Sequence, residues 1–356
     1  MNILEQYDLR HRQGEIGIEI EMEGEYLPNT DIVNWKVVPD GSLRGNSQYE
    51  YVLKSPATRK NVTKVLNKLS TIFCDCGSIL LPSGRCGVHI HINCQQFTFM
   101  QTMNFACIHT IFEEILLNYC GTMRAGNMVC LRASDAEYSI IKLKEAFSKQ
   151  NFDKYINNNH MRYSAMNLIS LPKYGSIEFR ALSTPKNIMD IEEWINILLQ
   201  LKDASMTFNK PSEMVERMSM EGPMLFAKQI LGKYFDVLNI PNLEELLYIG
   251  IRHVQNIAYT KVEQKPKRTL KDKDFYKDNW NNGWNDEDED IDENFYDEDE
   301  EYEDEQNNEA KRELKQLRND MFKQSYHKYV EANGRPPSGI EKIKIVEKIW
   351  LDTEEI

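Results

Sequence analysis

Three segments of the chain alternate strictly between apolar and polar residues, which is the pattern of a β-strand with two different faces. They are EIGIEIEMEGEYL at 15–27, CGVHIHIN at 86–93 and GSIEFRALS at 175–183. Each has aliphatic or aromatic residues on one side and carboxylate, imidazole or guanidinium groups on the other. The alternation predicts three strands that are each buried on one face and polar on the other.

Other segments fill in the remaining elements. Shorter strands are predicted at 34–43, 47–56 and 162–170, the last pairing with 175–183 across a turn at 172–175. Apolar residues at helical spacing predict helices at 61–77, 101–119, 136–148, 188–203, 212–219, 223–238 and 242–258. Because strands and helices are interspersed without regular βαβ alternation, we expect an α+β fold with an antiparallel or mixed sheet.

The C-terminal third differs in composition from the rest. Residues 286–305 hold 15 of the 56 acidic residues, and without them 41 acidic residues face 43 basic ones. We predict a folded domain at 1–262, a disordered acidic linker at 263–308 and a helical extension at 309–356 with helices at 309–332 and 338–351. The near-neutral body gives no indication of nucleic-acid binding, and the acidic run would suit a basic protein partner.

Cysteine usage and the start of the chain bear on location. The chain has seven cysteines, an odd number, and begins without the basic and apolar regions of a signal peptide. No window approaches 18 apolar residues, so no membrane partner is expected. We predict a cytoplasmic protein with reduced thiols. The high use of Asn, Lys, Met and Tyr would suit a viral or phage protein acting in the host cytoplasm.

The first strand carries a row of carboxylates. Glu19, Glu21 and Glu23 share one face, with neighbours about 6.7 Å apart. Such a row is either a solvated stripe or a ligand set for Mg²⁺ or Mn²⁺, which bind oxygen.

The other two alternating strands carry complementary groups. His89, His91 and Asn93 share the polar face of one strand, and Glu178 and Arg180 share that of the other. Each group alone has an ordinary structural explanation, such as a cross-strand Glu–Arg pair. Together they indicate a sheet whose polar face holds metal ligands, with arginines to neutralise phosphate. Arg162 on the preceding strand would add to these. Metal ligands and arginines on one face are the groups that phosphoryl transfer from ATP requires.

In this order and spacing, IGIEIEME, WKVVPDGSL, YEYVLKSP, CGVHIHIN, RYSAMNL and SIEFRAL resemble the motifs of the amidoligases. These are carboxylate–amine ligases related to glutamine synthetase and glutamate–cysteine ligase, and the resemblance covers about 15–200. It implies a curved antiparallel sheet that forms an open funnel backed by helices. It also implies ATP with Mg²⁺ or Mn²⁺, and amide-bond formation through an acyl phosphate.

The resemblance also implies roles for individual residues. The metal ligands would be Glu19, Glu21, Glu23, His89, His91 and Glu178. Arg180, Arg162 and Glu178 would be catalytic, and Arg162, Asn167 and Arg180 would contact the nucleotide. Asp40, Ser42 and Glu50 would line the substrate side. The substrates would be a small-molecule or peptide carboxylate and an amine.

Several alternatives stay open at this stage. A guanidino kinase would share the sheet architecture but stop at phosphoryl transfer. A metal-dependent hydrolase or cupin-like protein could use the two histidines without ATP, although no suitably spaced glutamate follows His91. A structural zinc at Cys74, Cys76, Cys86 and His89 departs from the usual C-x₂₋₄-C spacing. A non-catalytic interaction module with the acidic run as its working part is the last alternative.

Overall fold

The computed structural model describes residues 1–263, apart from 45, 122–129, 134, 136, 158 and 239–240, and, further on, residues 321, 324–325, 327–333, 335 and 348. The chain divides into two compact units, 1–263 and 264–356. The predicted linker lies outside the described residues beyond its first residue, and so does most of the predicted C-terminal extension. Residues 327–333 of that extension are helical.

The strands described in the first unit form one seven-stranded sheet. They are β1 (Ile16–Glu25), β2 (Trp35–Pro39), β3 (Ser47–Leu53), β4 (Ile79–Leu80), β5 (Gly87–Asn93), β6 (Met166–Asn167) and β7 (Ser176–Ser183). Their order is β2-β3-β1-β5-β7-β6, with β4 paired to the far end of β1. All of these pairs are antiparallel, and the sheet is open. The predicted α+β class with an antiparallel sheet is confirmed.

The alternation in β1 explains its orientation in the sheet. Ile16, Ile18, Ile20 and Met22 are at most 1% exposed. Burying an aliphatic side chain of this size contributes about 1.5–3 kcal/mol. A register slip of one residue would expose all four and bury the glutamates between them, so the pattern fixes which side of β1 faces the core.

Helices pack around the sheet, and those at 99–120 and 191–205 contact β7 and β5. They are α1 (Ile3–Gln6), α2 (Val62–Asp75), α3 (Phe99–Cys120), α4 (Glu137–Lys149), α5 (Asp153–Ile156), α6 (Leu171–Tyr174), α7 (Ile191–Ser205), α8 (Pro211–Glu221), α9 (Pro223–Leu231) and α10 (Leu243–Ala258). On α3, the rings of Phe105 and His109 lie 5.4 and 4.9 Å from that of Phe179 on β7. At the β2 edge, Trp35 donates its indole N–H to the carbonyl of Val65 on α2 (3.2 Å). Among the described helices, none is both long and apolar enough to cross a membrane.

The predicted strand at 162–170 is wrong over most of its length. Asn159–Tyr163 is a 3-10 helix, Met166–Asn167 is the one strand in this segment, and α6 begins at Leu171. Asn167 ends the short strand, because its side-chain oxygen accepts the backbone N–H of Ile169 (2.9 Å). Such a local bond turns the chain away from an extended course.

Other element boundaries also differ from the prediction. The predicted helix at 223–238 ends as an α-helix at Leu231, because Gly232 adopts a φ of +53° that breaks the helical repeat. The predicted helix at 188–203 begins with a 3-10 turn, Ile188–Asp190. The short elements α1, α5 and β4 were not predicted, since they contain too few residues to show a period.

Candidate active site

Strands β1, β5 and β7 are neighbours in the sheet, which brings their polar side chains together. Between β1 and β5, Glu19 lies opposite His89. Between β5 and β7, His91 lies opposite Glu178, and the register shifts next to His89. The prediction that the polar faces of these three strands converge is confirmed.

The imidazole of His89 is surrounded by carboxylates. Its side chain is 4% exposed, and its Nδ1 lies 3.3 Å from Oε2 of Glu19 and 3.6 Å from Oε1 of Glu178. Its Nε2 lies 3.7 Å from Oε1 of Glu21 and makes no hydrogen bond within the described structure. Since a buried ring nitrogen without a hydrogen-bond partner is costly, this atom is a candidate ligand for a bound metal ion.

His91 is the second imidazole on the same face. Its Nε2 lies 3.3 Å from Oε1 of Glu19, and its Nδ1 lies 3.2 Å from the hydroxyl of Ser176. Burial alone would lower the pKa of His91, but the contact with Glu19 and the charge of Glu178 raise it. Burial alone would raise the pKa of Glu19, yet the contacts with His89 and His91 hold it well below its usual range. Glu19 is thus an ionised carboxylate shared by two imidazoles.

Both oxygens of Glu178 have fixed partners. Oε1 accepts a hydrogen bond from Nη1 of Arg180 (2.5 Å), and Oε2 accepts one from Nδ2 of Asn167 on β6 (2.8 Å). The Glu178 side chain is 8% exposed. These bonds fix the orientation of the carboxylate while leaving lone pairs that can still bind a cation.

Glu21 and Glu50 extend the acidic cluster toward β3. The two residues are opposite each other in the register of β1 and β3. Oε2 of Glu21 accepts the backbone N–H of Gly87 (2.7 Å). Burial, followed by the charges of Glu19 and Glu21, raises the pKa of Glu50 to about 7. Carboxylates crowded in this way are a favourable environment for a divalent cation.

The turn after β2 lies beside these acids. Asp40 accepts the backbone N–H of Ser42 (2.8 Å), and its charge adds to the raised pKa of Glu50. Glu23 accepts the backbone N–H of Arg44 (2.7 Å). Glu23, which is predicted to bind metal, therefore has a structural role: its hydrogen bond holds the turn against β1.

Arg162 lies on a helical turn and not on a strand of the sheet. It is exposed in the 3-10 helix Asn159–Tyr163, and its guanidinium lies over the ring of Tyr163, 5.2 Å from the centroid. Its role at the phosphate stays a prediction.

Among the residues that the structure describes, those that could hold a metal form two overlapping groups. One is Glu19, Glu50 and His89, and the other is Glu19, His91 and Glu178; within each, the candidate ligand atoms lie within 4.8 Å of one another. Carboxylates suit Mg²⁺ and Mn²⁺, and imidazoles favour first-row transition metals, so Mn²⁺ fits the mixed set well. The cysteines of the alternative zinc site are in neither group: Cys74 and Cys76 are exposed and Cys86 is buried.

A cavity of about 320 Å³ opens beside Glu19 and His91. Its size is at the lower end of the range for small-molecule pockets, roughly 300–1,000 Å³. The lining residues include the cations Arg12, Lys36 and Lys54 and the aromatic ring of Tyr174. Cations next to a metal-ligand group suit a phosphate-bearing ligand.

Several residues of this region were missed by sequence reasoning. Arg12 and Tyr174 lie outside the alternating strands, and no spacing in the sequence connects them. Glu50 was predicted only for the substrate side, although it shares a candidate metal group with His89. Its position opposite Glu21 depends on the pairing of β1 with β3, which the alternation does not reveal.

Comparison with known proteins agrees with the motif resemblance. Residues 11–202 match the family described as "Putative amidoligase enzyme". A search among curated proteins finds no match. The matched region spans more than half of the chain and contains every residue of the polar cluster on β1, β3, β5 and β7. The chain therefore belongs to the amidoligase family.

Proposed function

We propose that this protein is an ATP-dependent carboxylate–amine ligase that uses Mg²⁺ or Mn²⁺ and forms an amide through an acyl phosphate. Family membership supports ligase activity at the coarse level. The observation that carries the finer proposal is the group of Glu19, His91 and Glu178, which adjoins both Arg180 and the cation-lined cavity. A glutamine synthetase-like or glutamate–cysteine ligase-like funnel is part of the same proposal.

The reaction proceeds in two displacements. An oxygen of the substrate carboxylate attacks the γ-phosphorus of ATP, and the bond from phosphorus to the bridging oxygen breaks as ADP leaves. The amine then attacks the carbonyl carbon of the acyl phosphate, the bond to the phosphate oxygen breaks, and the nitrogen loses a proton. Both displacements concentrate negative charge on phosphate oxygens, and stabilising that charge is the main catalytic task.

The chain's own residues divide this task. Glu19, Glu178 and the two imidazoles would hold the metal, with Glu50 at the second group. A bound divalent cation supplies charge stabilisation at the phosphates. Arg180 would neutralise a phosphate oxygen, and Asn167 keeps Glu178 in place. Asp40, Ser42 and Glu50 would lie on the side of the carboxylate and amine substrates.

A metabolite-pool experiment tests this function. The full chain is incubated with ATP, Mn²⁺ or Mg²⁺, and a mixture of amino acids, peptides and polyamines, and products are identified by mass spectrometry. We expect ADP, free phosphate and a condensation product that appears only with ATP. Glu178→Gln is the inactive comparison, and Glu213→Gln, on α8, is the matched control.

The products also separate the alternatives. A phosphorylated guanidine without free phosphate would identify a guanidino kinase. Hydrolysis of a pool component without ATP would identify a metal-dependent hydrolase. Either result would contradict the ligase proposal.

A further inference from the structure

One buried amide joins two distant segments at the wall of the cavity. Gln95 is 1% exposed, and its side-chain oxygen accepts the backbone N–H of Arg12 (2.9 Å). Its side-chain nitrogen donates to the carbonyls of Arg10 (3.0 Å) and Tyr174 (3.3 Å). The segment before β1 is thereby tied to the end of α6.

Two neighbouring residues reinforce this tie. The side-chain amide of Asn93 donates an N–H to the carbonyl of Gly14 (2.9 Å), and its oxygen accepts the backbone N–H of Gln95 (2.8 Å). Gly175 has a φ of +68°, and a Cβ at this position would lie 2.4 Å from Cγ of Gln95. The turn therefore requires glycine both for its conformation and for the close approach of Gln95.

The tied segments carry Arg12 and Tyr174, which both line the cavity. The Arg12 guanidinium lies over the Tyr174 ring, 5.6 Å from its centroid. The His91 ring meets the same tyrosine ring at nearly a right angle (87°), with 5.8 Å between centroids. Tyr174 thus connects a guanidinium at the cavity wall to an imidazole of the candidate metal group.

The charge around the cavity favours an anion. Glu15 lies in the wall, but it is paired with Arg59 (2.9 Å) and Lys202 (3.1 Å). The remaining charged side chains away from the metal group are Arg12, Lys36 and Lys54, the last of which also bridges to an exposed aspartate. A guanidinium held against an aromatic ring is well suited to bind phosphate oxygens.

The place of the cavity along β1 indicates which anionic group it would bind. The cavity adjoins Gly17 and Glu19, whereas Glu21, which faces Glu50 on β3, lies farther along the strand. Because Glu50 is on the proposed substrate side, the cavity is on the opposite side of Glu19. A phosphate chain in the cavity would reach the metal group at Glu19 and His91.

We propose that Arg12 binds the phosphate chain of the nucleotide, that Tyr174 holds the Arg12 guanidinium in place, and that Gln95 is the positioning residue for both. This inference rests on the proposed function, since it takes the nucleotide as the ligand of the cavity. It assigns a binding role to the segment before β1 and to the turn before β7.

Isothermal titration calorimetry of the full chain tests the assignment with three probes in Mg²⁺: ATP, inorganic tripolyphosphate and adenosine. Arg12→Gln should weaken binding of ATP and of tripolyphosphate alike, by about tenfold or more, because a charge-assisted contact is lost. Tyr174→Leu and Gln95→Leu should act in the same direction, and Tyr174→Phe, which keeps the ring, should bind both probes more tightly than Tyr174→Leu. Lys173→Gln is the matched control, because Lys173 also lies near the tyrosine ring but does not line the cavity.

The outcomes separate this inference from the proposed function. If the wild-type chain does not bind ATP, both are contradicted. If it binds ATP and Arg12→Gln binds ATP and tripolyphosphate as tightly as wild type, only the inference is overturned. It is also overturned if Arg12→Gln weakens ATP and adenosine but leaves tripolyphosphate unchanged, since the cavity wall would then recognise the base. Circular dichroism confirms that each variant is folded before its affinity is compared.

Discussion

Replacing Glu19 with Gln is expected to remove metal binding and to lower turnover on the order of 1,000-fold. Glu19 belongs to both candidate metal groups and contacts both imidazoles, so its loss disrupts every ligand set at once. Charge stabilisation by a metal amounts to several kcal/mol, and about 1.4 kcal/mol corresponds to a tenfold change in rate. Turnover is measured as ADP release, and metal binding is measured by calorimetry with Mn²⁺.

The control for this variant is Glu25→Gln. Glu25 has the same chemistry and lies on the same strand, but it pairs with Ile79 at the far end and belongs to neither metal group. We expect Glu25→Gln to bind Mn²⁺ and turn over like the wild type. Equal losses in both variants would mean that the effect is general to β1, and unchanged turnover in Glu19→Gln would contradict the site.

Arg180→Gln should have the second largest effect, lowering kcat by about 100- to 1,000-fold. This is the range seen when one preorganised donor to a developing negative charge is removed. Arg180 lies in the site, 18% exposed, with one guanidinium nitrogen on Glu178. Arg180→Lys keeps the charge but loses the planar fork, so it should recover only part of the rate.

The measurement is the steady-state rate of ADP formation at saturating ATP. Arg217→Gln on α8 is the matched control, because that arginine pairs with Glu221 outside the site. A wild-type kcat in Arg180→Gln would contradict the assigned role. Arg162→Gln can be compared in the same experiment, since Arg162 is predicted to act at the phosphate and is exposed beside Tyr163.

The faces of the three alternating strands could be predicted from the sequence, because a side-chain period of two decides which residues share a side. The neighbours of each strand could not, since pairing depends on contacts between residues far apart in the chain. Glu19 and His89 meet only because β1 pairs with β5, and Glu50 joins them only because β3 pairs with β1. Motif resemblance placed Glu50 in the region, and the register placed it against Glu21.

The residues around the cavity show a second limit of sequence reasoning. Gln95 acts through one hydrogen bond each to Arg12 and Tyr174, which are 83 and 79 positions away in the chain. A single buried amide produces no periodic signal. The opposite error occurs in the segment around Arg162, whose composition is acceptable for a strand although most of the segment is not β. The backbone N–H of Ile169 donates to the side-chain oxygen of Asn167, and this local bond turns the chain at the end of the short strand β6.

Anomalous diffraction from crystals grown with Mn²⁺ and a non-hydrolysable ATP analogue would locate the metal and the nucleotide in one experiment. We expect a manganese peak at coordination distance, about 2.1 Å, from carboxylate oxygens of Glu19 and Glu178, with an imidazole of β5 as a further ligand. The phosphate chain should extend from that peak toward Arg12. A nucleotide bound with manganese elsewhere, or no manganese among these carboxylates and imidazoles, would mean that the metal and nucleotide site is not here.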